Sequence, residues 1–485
     1  MRRILALIAL ATTWSASPAT AQLPSGPTTI LLRPAAAPSP ALKYRLVPER
    51  PGQVPGNAAI FYHRALLVAS THRADLDAER KFGPPAVKAE TTDDRVSGWI
   101  EGPIADLPRD QARALLARFQ TPLHEVELAA TRTTCDWEFD ARPEGISLLL
   151  PEIQAMRSLA RLVALKARLA TLDGRTDEAI RAIEDGLVMG RNVARGPTLI
   201  QDLVGIAIDN IMLGCLEELI QAPGTPSLYW ALADRPRPFI TMRESLEWER
   251  NLLEKELPGL LDLDKEPWGI ARARKFSEEL EEKLALFRNE GSTPLGPLGR
   301  LGLAAMTAKI YPEARRALIA GGRPEAEVDA MPVVQVACLD AYRQYRRHLD
   351  ESSKWFHMPP WQSAGKLDAA LGMTGEQKRA NPLLAMFRGL TPSLSGVLHA
   401  EVRLERHLDA LQCIEAIRLH ADGHGGALPQ SLDALADAPA PLDPATGKPF
   451  DYKVEGDSAT LSAPLPPGAP DHPSYQIRYV LKPAR

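Results

Sequence analysis

Apolar residues recur at helical spacing over most of this chain and alternate in strand fashion only near its C-terminal end. The clearest run covers residues 151–222. A helix to Leu172, a turn at Asp173-Gly174-Arg175, a helix to about Ala194, a break at Gly196-Pro197 and a long helix to Gln221 follow one another there. Helices joined by turns this short run antiparallel, so the pattern predicts a stack of helical hairpins. Downstream, the segments Pro238–Glu256, Gly269–Asn289 and Gly299–Ala320 carry the same period, and a helix opened by Pro332 extends over 331–358. Upstream, Asn57 caps a helix that runs through Ile60, Phe61, Leu66 and Leu67, and another starts at Pro108. The stretch between Lys81 and Pro108 reads as a loop. Thr131–Gly145 reads as irregular chain anchored by Cys135-Asp136-Trp137-Glu138-Phe139.

The two ends differ in kind. Residues 22–56 are punctuated by prolines that remove backbone donors and disfavour helix at each preceding position, giving an extended arm in which only Lys43-Tyr44-Arg45-Leu46-Val47 suggests a strand. At the other end a helix from about Ser395 to His420 carries Val397, Leu404, Leu408, Leu411 and Ile414 on one face. It is followed by strands Phe450–Glu455, Ala459–Ser462 and Tyr475–Leu481, the first two joined by a hairpin turn at Gly456-Asp457. The expected class is therefore mainly α, stacked antiparallel hairpins with a small C-terminal α+β module. The expected segments are 1–21, 22–56, 57–222, 223–394 and 395–485.

Segment 1–21 reads as a signal peptide. Arg2-Arg3, the apolar run Ile4–Thr13 and Ala19-Thr20-Ala21 before Gln22 stand in the order of a basic region, a hydrophobic core and a small-x-small cleavage site. The run is far shorter than the roughly 20 residues of a spanning helix, and no cysteine follows where a lipid anchor would attach. Export and release as a soluble periplasmic or secreted protein are expected. The other strongly apolar stretch, Leu199–Ile220, carries Gln201, Asp202, Asp209, Asn210, Glu217 and Glu218, which are costly in lipid. It reads as a core helix, leaving no transmembrane segment after cleavage.

Two resemblances follow from particular residues. Leu169 through Leu187, with small residues at Ala167, Gly174, Ala179 and Gly186 and the large apolar Ile183, resembles the central part of a tetratricopeptide repeat over about 160–190. Val163 replaces that repeat's early aromatic, Arg191 its closing proline, and no second copy appears at the ~34-residue period. Gly425-Gly426-Ala427-Leu428-Pro429, Leu432-Asp433-Ala434-Leu435 and Asp443-Pro444 through Pro449-Phe450 resemble the periplasmic half of a type II secretion major pseudopilin, over about 403–463. The assembly helix of that family is missing, so the likeness implies a shared fold in soluble form. With Cys135-Asp136-Trp137 and Gly196-Pro197-Thr198-Leu199-Ile200, the layout is also similar to a group of uncharacterised exported bacterial proteins.

Composition narrows the chemistry. With 57 Lys+Arg against 61 Asp+Glu, no basic excess is present to hold a phosphate backbone, so nucleic acid is not an expected partner. Cys135, Cys215, Cys338 and Cys413 form no CxxC, and the last three lie in apolar helical patterns, so they read chiefly as buried thiols, with one disulfide, in any of three pairings permitted in an exported chain, as the alternative. A nucleophile elbow, a phosphate-binding loop, a dinucleotide fingerprint and HExxH are not readable. His420, Asp422 and His424 offer zinc's ligand types, yet Gly423 and Gly425 are expected to end the helix before the rings can share a face, which favours a polar helix cap. Asp443 and Asp457 offer hard oxygens for calcium, but two carboxylates are few and Asp443 before Pro444 is an ordinary turn initiator. No cofactor and no catalytic residue is assigned.

Asp202, Asp209 and Glu217 fall on one helical face and read as a solvated or hydrogen-bonded stripe. The acidic run Glu278–Glu282 reads as a solvated face. Trp355, Phe356 and Trp361 form an aromatic knot that is a candidate contact surface. Together these features lead to an exported, non-catalytic interaction or scaffold protein of the bacterial envelope with a protein or peptide partner. The alternatives are an exported hydrolase with its site between the helical body and the tail, and an accessory factor of pseudopilin-like secretion.

Overall fold

The computed structural model describes residues 27–48, 52–81, 91–138, 146–286, 297–363, 365–389, 394–466 and, with short interruptions, 468–484. The expected signal peptide and Phe139 lie outside the described residues. The fold is mainly α with small sheets. The described residues divide into a larger unit made of those from 27 to 242 together with 399 onward, and a smaller unit over 243–398. The arm, the hairpin stack and the C-terminal module, expected as separate segments, thus belong to one unit.

Strand β1 (Thr28–Leu32) opens the larger unit. β2 (Val54–Asn57) leads into helix α1 (Ala58–Lys81), where the Asn57 side chain accepts from the Ala59 amide at 3.1 Å, as expected of a cap. A helix α2 (Thr92–Glu101) occupies part of the expected loop, because Thr91 and Asp94 cap each other reciprocally and satisfy amides that would otherwise be orphaned. α3 (Arg109–Arg118), α4 (Gln120–Ala130) and a short β3 (Arg132–Thr134), parallel to β2, follow.

The hairpin stack is α5 (Ile146–Leu172), α6 (Thr176–Val193) and α7 (Leu199–Leu219). Gly174 sits in the left-handed region at φ 71°, which lets the Arg175 amide return to the Ala170 carbonyl at 2.9 Å and close α5 sharply. α6 and α7 cross at glycines. A Cβ on Gly186 would overlap Met212, and one on Gly205 would stand 2.5 Å from the Gly190 carbonyl oxygen. α7 is apolar and long enough for a membrane span by composition, and most of it is buried inside the unit. α8 (Tyr229–Ala233) ends this part of the chain.

The smaller unit contains α9 (Arg243–Arg250), α10 (Leu252–Glu256), α11 (Ile270–Leu286), α12 (Pro297–Ala320), α13 (Glu325–Ala330) and α14 (Val333–Ser353), then four short helices, α15 (Pro360–Ser363), α16 (Lys366–Leu371), α17 (Gly375–Ala380) and α18 (Pro382–Gly389). Their core joins Leu260, Trp268, Phe276, Val336, Tyr345 and Phe387. The helix expected to begin at Pro238 begins only at Arg243. Within the larger unit, the Phe239 amide is taken by the Glu405 carboxylate at 2.5 Å, and Phe239, Ile240 and Met242 are buried.

Helix α19 (Leu394–Gly423) carries the chain back into the larger unit. A small β4/β5 pair (Leu442–Asp443, Lys448–Pro449) precedes the hairpin β6 (Asp451–Glu455) and β7 (Ser458–Ala463) and the last strand β8 (Ile477–Pro483). The sheet order is β1-β8-β7-β6, with β1 parallel to β8 and the other pairs antiparallel. Alternate side chains face inward: Ile30 and Leu32, Ile477, Tyr479 and Leu481, Ala459, Leu461 and Ala463 are all buried. The strand of the arm is therefore Thr28–Leu32 and not Lys43–Val47. Lys43 and Tyr44 instead both bond the Asp177 carboxylate.

Candidate functional site

The most densely functionalised part of the molecule is α19. The sequence assigns it one apolar face, but nearly every position from Val402 to Arg418 is buried, charged residues included. Leu404, Leu408, Leu411 and Ile414 cover one side, while small residues such as Ala410, Cys413 and Ala416 let other segments close over the rest. Each charged group meets a partner from a distant segment. Arg406 donates from Nε and Nη2 to both oxygens of Asp443 at 2.9 and 3.1 Å, and to the carbonyls of Tyr475 and Pro464 at 2.6 and 2.7 Å. Asp409 accepts from Arg235 and Arg237 at 2.6 and 2.8 Å, and both arginines also reach Gln412. Glu415 accepts from the Leu228 amide and from Arg418, whose remaining donors go to the carbonyls of Arg33 and Thr225. His407 and the Tyr479 hydroxyl converge on Glu217 at 2.8 and 2.6 Å. Buried charges this well paired hold chain segments in register.

The acidic stripe of α7 is not solvated. Asp202 and Asp209 are fully buried, and Glu217 takes hydrogen bonds from two donors, His407 and the Tyr479 hydroxyl. Asp209 projects onto Gly190, where a Cβ would overlap its carboxylate, and among the described residues neither of its oxygens has a hydrogen-bond partner. Burial pushes its pKa well above the ordinary carboxylate value; Arg191 opposes the shift and Glu405 adds to it. The Arg191 guanidinium itself is directed to the Phe239 carbonyl at 2.9 Å and packs over that ring.

A second acidic group joins α4, α5 and α6. Lys166 Nζ lies 2.6 Å from Glu127, whose other oxygen is 3.2 Å from His124 Nδ1. Nearby, burial pushes Asp185 up to about 7, with the carboxylates of Glu127 and Glu184 adding to the shift and Lys166 opposing it. Burial also raises Glu184 to about 7. Carboxyls that titrate near neutrality are suited to donate or accept a proton. Beside this group, Trp137 stacks on Tyr62 with ring centroids 6.0 Å apart and donates to the Asn192 carbonyl at 2.9 Å, and the Asn57 amide clamps Asp136. The irregular segment read from Cys135-Asp136-Trp137 is thus an anchor for α1 and α6.

The residues singled out by sequence are scattered. Trp355 and Phe356 are half-buried in a 3-10 turn over Lys354–His357, and Met358 and Trp361 are 42 % and 45 % exposed. Asp443, a calcium candidate, is the buried counter-ion of Arg406, and its oxygens also accept from the Ala445 amide and the Thr446 hydroxyl. Asp457 lies exposed in the turn between β6 and β7. His420 and His424, expected out of register, are brought together: α19 runs to Gly423, and their rings stack at 3.9 Å and 12°. Asp422, exposed and two residues along the helix, points away from that pair. No group of three metal-ligating side chains occurs among the described residues. All four cysteines are buried thiols.

Arg406, Asp409, Glu415 and Arg418 carry no readable motif. The only trace is the density of small residues on the supposedly outward side of α19. The chain matches no family model, no curated protein and no solved structure.

Proposed function

We propose that this chain is a non-catalytic interaction protein of the bacterial cell envelope, exported through its N-terminal signal, released in soluble form, and acting on a protein or peptide partner. The observation that supports this reading is the Lys354–Trp361 segment of the smaller unit. There, Trp361 and Met358 are exposed beside half-buried Trp355 and Phe356, and the Lys354 and Lys366 ammonium groups sit over the Trp355 ring at 5.5 and 4.8 Å. Tryptophan delivers large contact area at low entropic cost, and the flanking ammoniums suit a partner surface that combines apolar and acidic groups. A photo-crosslinking side chain placed at Gln362 should capture one recurrent product in cells, and W355A/W361A should remove it. If no product forms and the purified protein turns over a cell-wall or peptide substrate, the reading is wrong.

The exported-hydrolase reading was expected to have its site between the helical body and the tail; a different place favours it here, the Asp185 carboxyl, raised to about 7 by burial beside Glu127 and Lys166. It requires that D185N abolish any turnover detected while leaving the thermal transition in place. Turnover that survives D185N removes it.

A further inference from the structure

His420 and His424 stand one helical turn apart at the exposed end of α19, and their imidazoles lie parallel with centroids 3.9 Å apart. The glycines that follow explain the geometry. Gly425 and Gly426 adopt φ values of 60° and 88°, and the Gly426 amide returns to the Ala421 carbonyl at 2.7 Å, folding the chain back under the last turn and holding His424 above His420. His424 Nδ1 lies 2.8 Å from the His420 carbonyl oxygen. A carbonyl only accepts, so Nδ1 carries the proton and the lone pair of that ring is on Nε2, the tautomer control common to metal-binding histidines. Among the described residues no group bonds the ring nitrogens of His420.

From this juxtaposition we propose that His420 and His424 form a two-imidazole site for a late first-row divalent metal ion, Cu(II) before Zn(II), with the remaining coordination positions left open to water or to a ligand from outside the chain. Three physical features favour a cation here. Two neutral imidazoles at i and i+4 give a chelate on one helical face. The carbonyl end of a 30-residue helix carries partial negative charge. Imidazole nitrogen also suits copper and zinc, with copper ahead in the stability order. The parallel rings, with centroids 3.9 Å apart, place the two imidazoles side by side on one end of the helix. Ring tilting about the side-chain torsions turns the two free nitrogens toward one ion.

The test uses the full chain and Cu(II) alone in a non-coordinating buffer at pH 7.5, read by calorimetry and by electron paramagnetic resonance. One site per chain is expected, with hyperfine structure from two nitrogens. H420A and H424A should each weaken binding at least tenfold and each should match the double variant, because a chelate is lost when either arm is removed. The far-UV spectrum and melting temperature of the metal-free variants should stay near wild type. Binding that persists within twofold in either single variant, or a signal from a single nitrogen, would overturn the site. Unchanged copper affinity together with a fall in metal-free melting temperature would assign the stack a capping role instead.

Discussion

Replacing Arg406 by alanine is expected to destabilise the larger unit by about 3–5 kcal/mol, the cost of stranding one partner of a buried ion pair. Arg406 is 1 % exposed and its side chain reaches Asp443, Tyr475 and Pro464, so the substitution removes two of the four donors to a buried carboxylate and one donor from each of two carbonyls. The pair itself contributes little net, because two desolvated charges consume most of their mutual attraction. The double variant R406M/D443L should therefore recover most of the loss. Differential scanning calorimetry, with the transitions of the two units fitted separately, distinguishes the cases. A loss below about 1 kcal/mol for R406A would show that the network does not organise the tail.

Asp209→Asn should act in the opposite direction and stabilise the protein at neutral and alkaline pH. The folded carboxyl titrates well above its ordinary value of 3.8, with burial as the main cause. A raised folded pKa means that the contribution of this group is fully present below 3.8 and is lost as pH rises toward the folded value. In that window the protonated carboxyl costs about 1.4 kcal/mol of stability per pH unit. Asparagine fills the same space beside Gly190 without the titration. Equilibrium denaturation from pH 4 to pH 8 should show a stability difference that grows with pH in favour of D209N. An unchanged slope, or a variant weaker than wild type at pH 8, would mean that Asp209 is ionised and paired in the folded protein.

Local sequence made much of the helical architecture legible. The hairpin stack α5–α7 lies within a few residues of its expected boundaries because Asp173-Gly174-Arg175 and Gly196-Pro197 are chemical stops that act through the backbone alone. The strands of the tail hairpin were readable for the same reason, since Gly456 supplies the left-handed turn at φ 60°. The helix α2 was missed although Thr91 and Asp94 form a capping box, because prolines, glycines and charges around it outweighed a short periodic signal.

The candidate site was much less legible. Arg406, Asp409 and Arg418 look like ordinary exposed helix charges, and only partners up to 385 positions away make them buried contacts. The pairing of β1 with β8, which joins residue 28 to residue 479, has no local signature either, since strand register is set by the neighbour and not by the strand. The alignment of His420 with His424 depended on how far α19 persists before Gly425 turns the chain, and the helix runs on to Gly423.

What the sequence determined by itself was the approximate course of most of the long helices, which α-hairpins form in the 151–222 stack, and that the fold is mainly α, because caps, glycine turns and apolar period act within a few residues. Tertiary structure alone decided which charges are buried, which strand of the arm joins the tail, and how the segments group into two units. Those outcomes depend on desolvation and long-range pairing, whose free energy exists only when residues far apart in the chain meet.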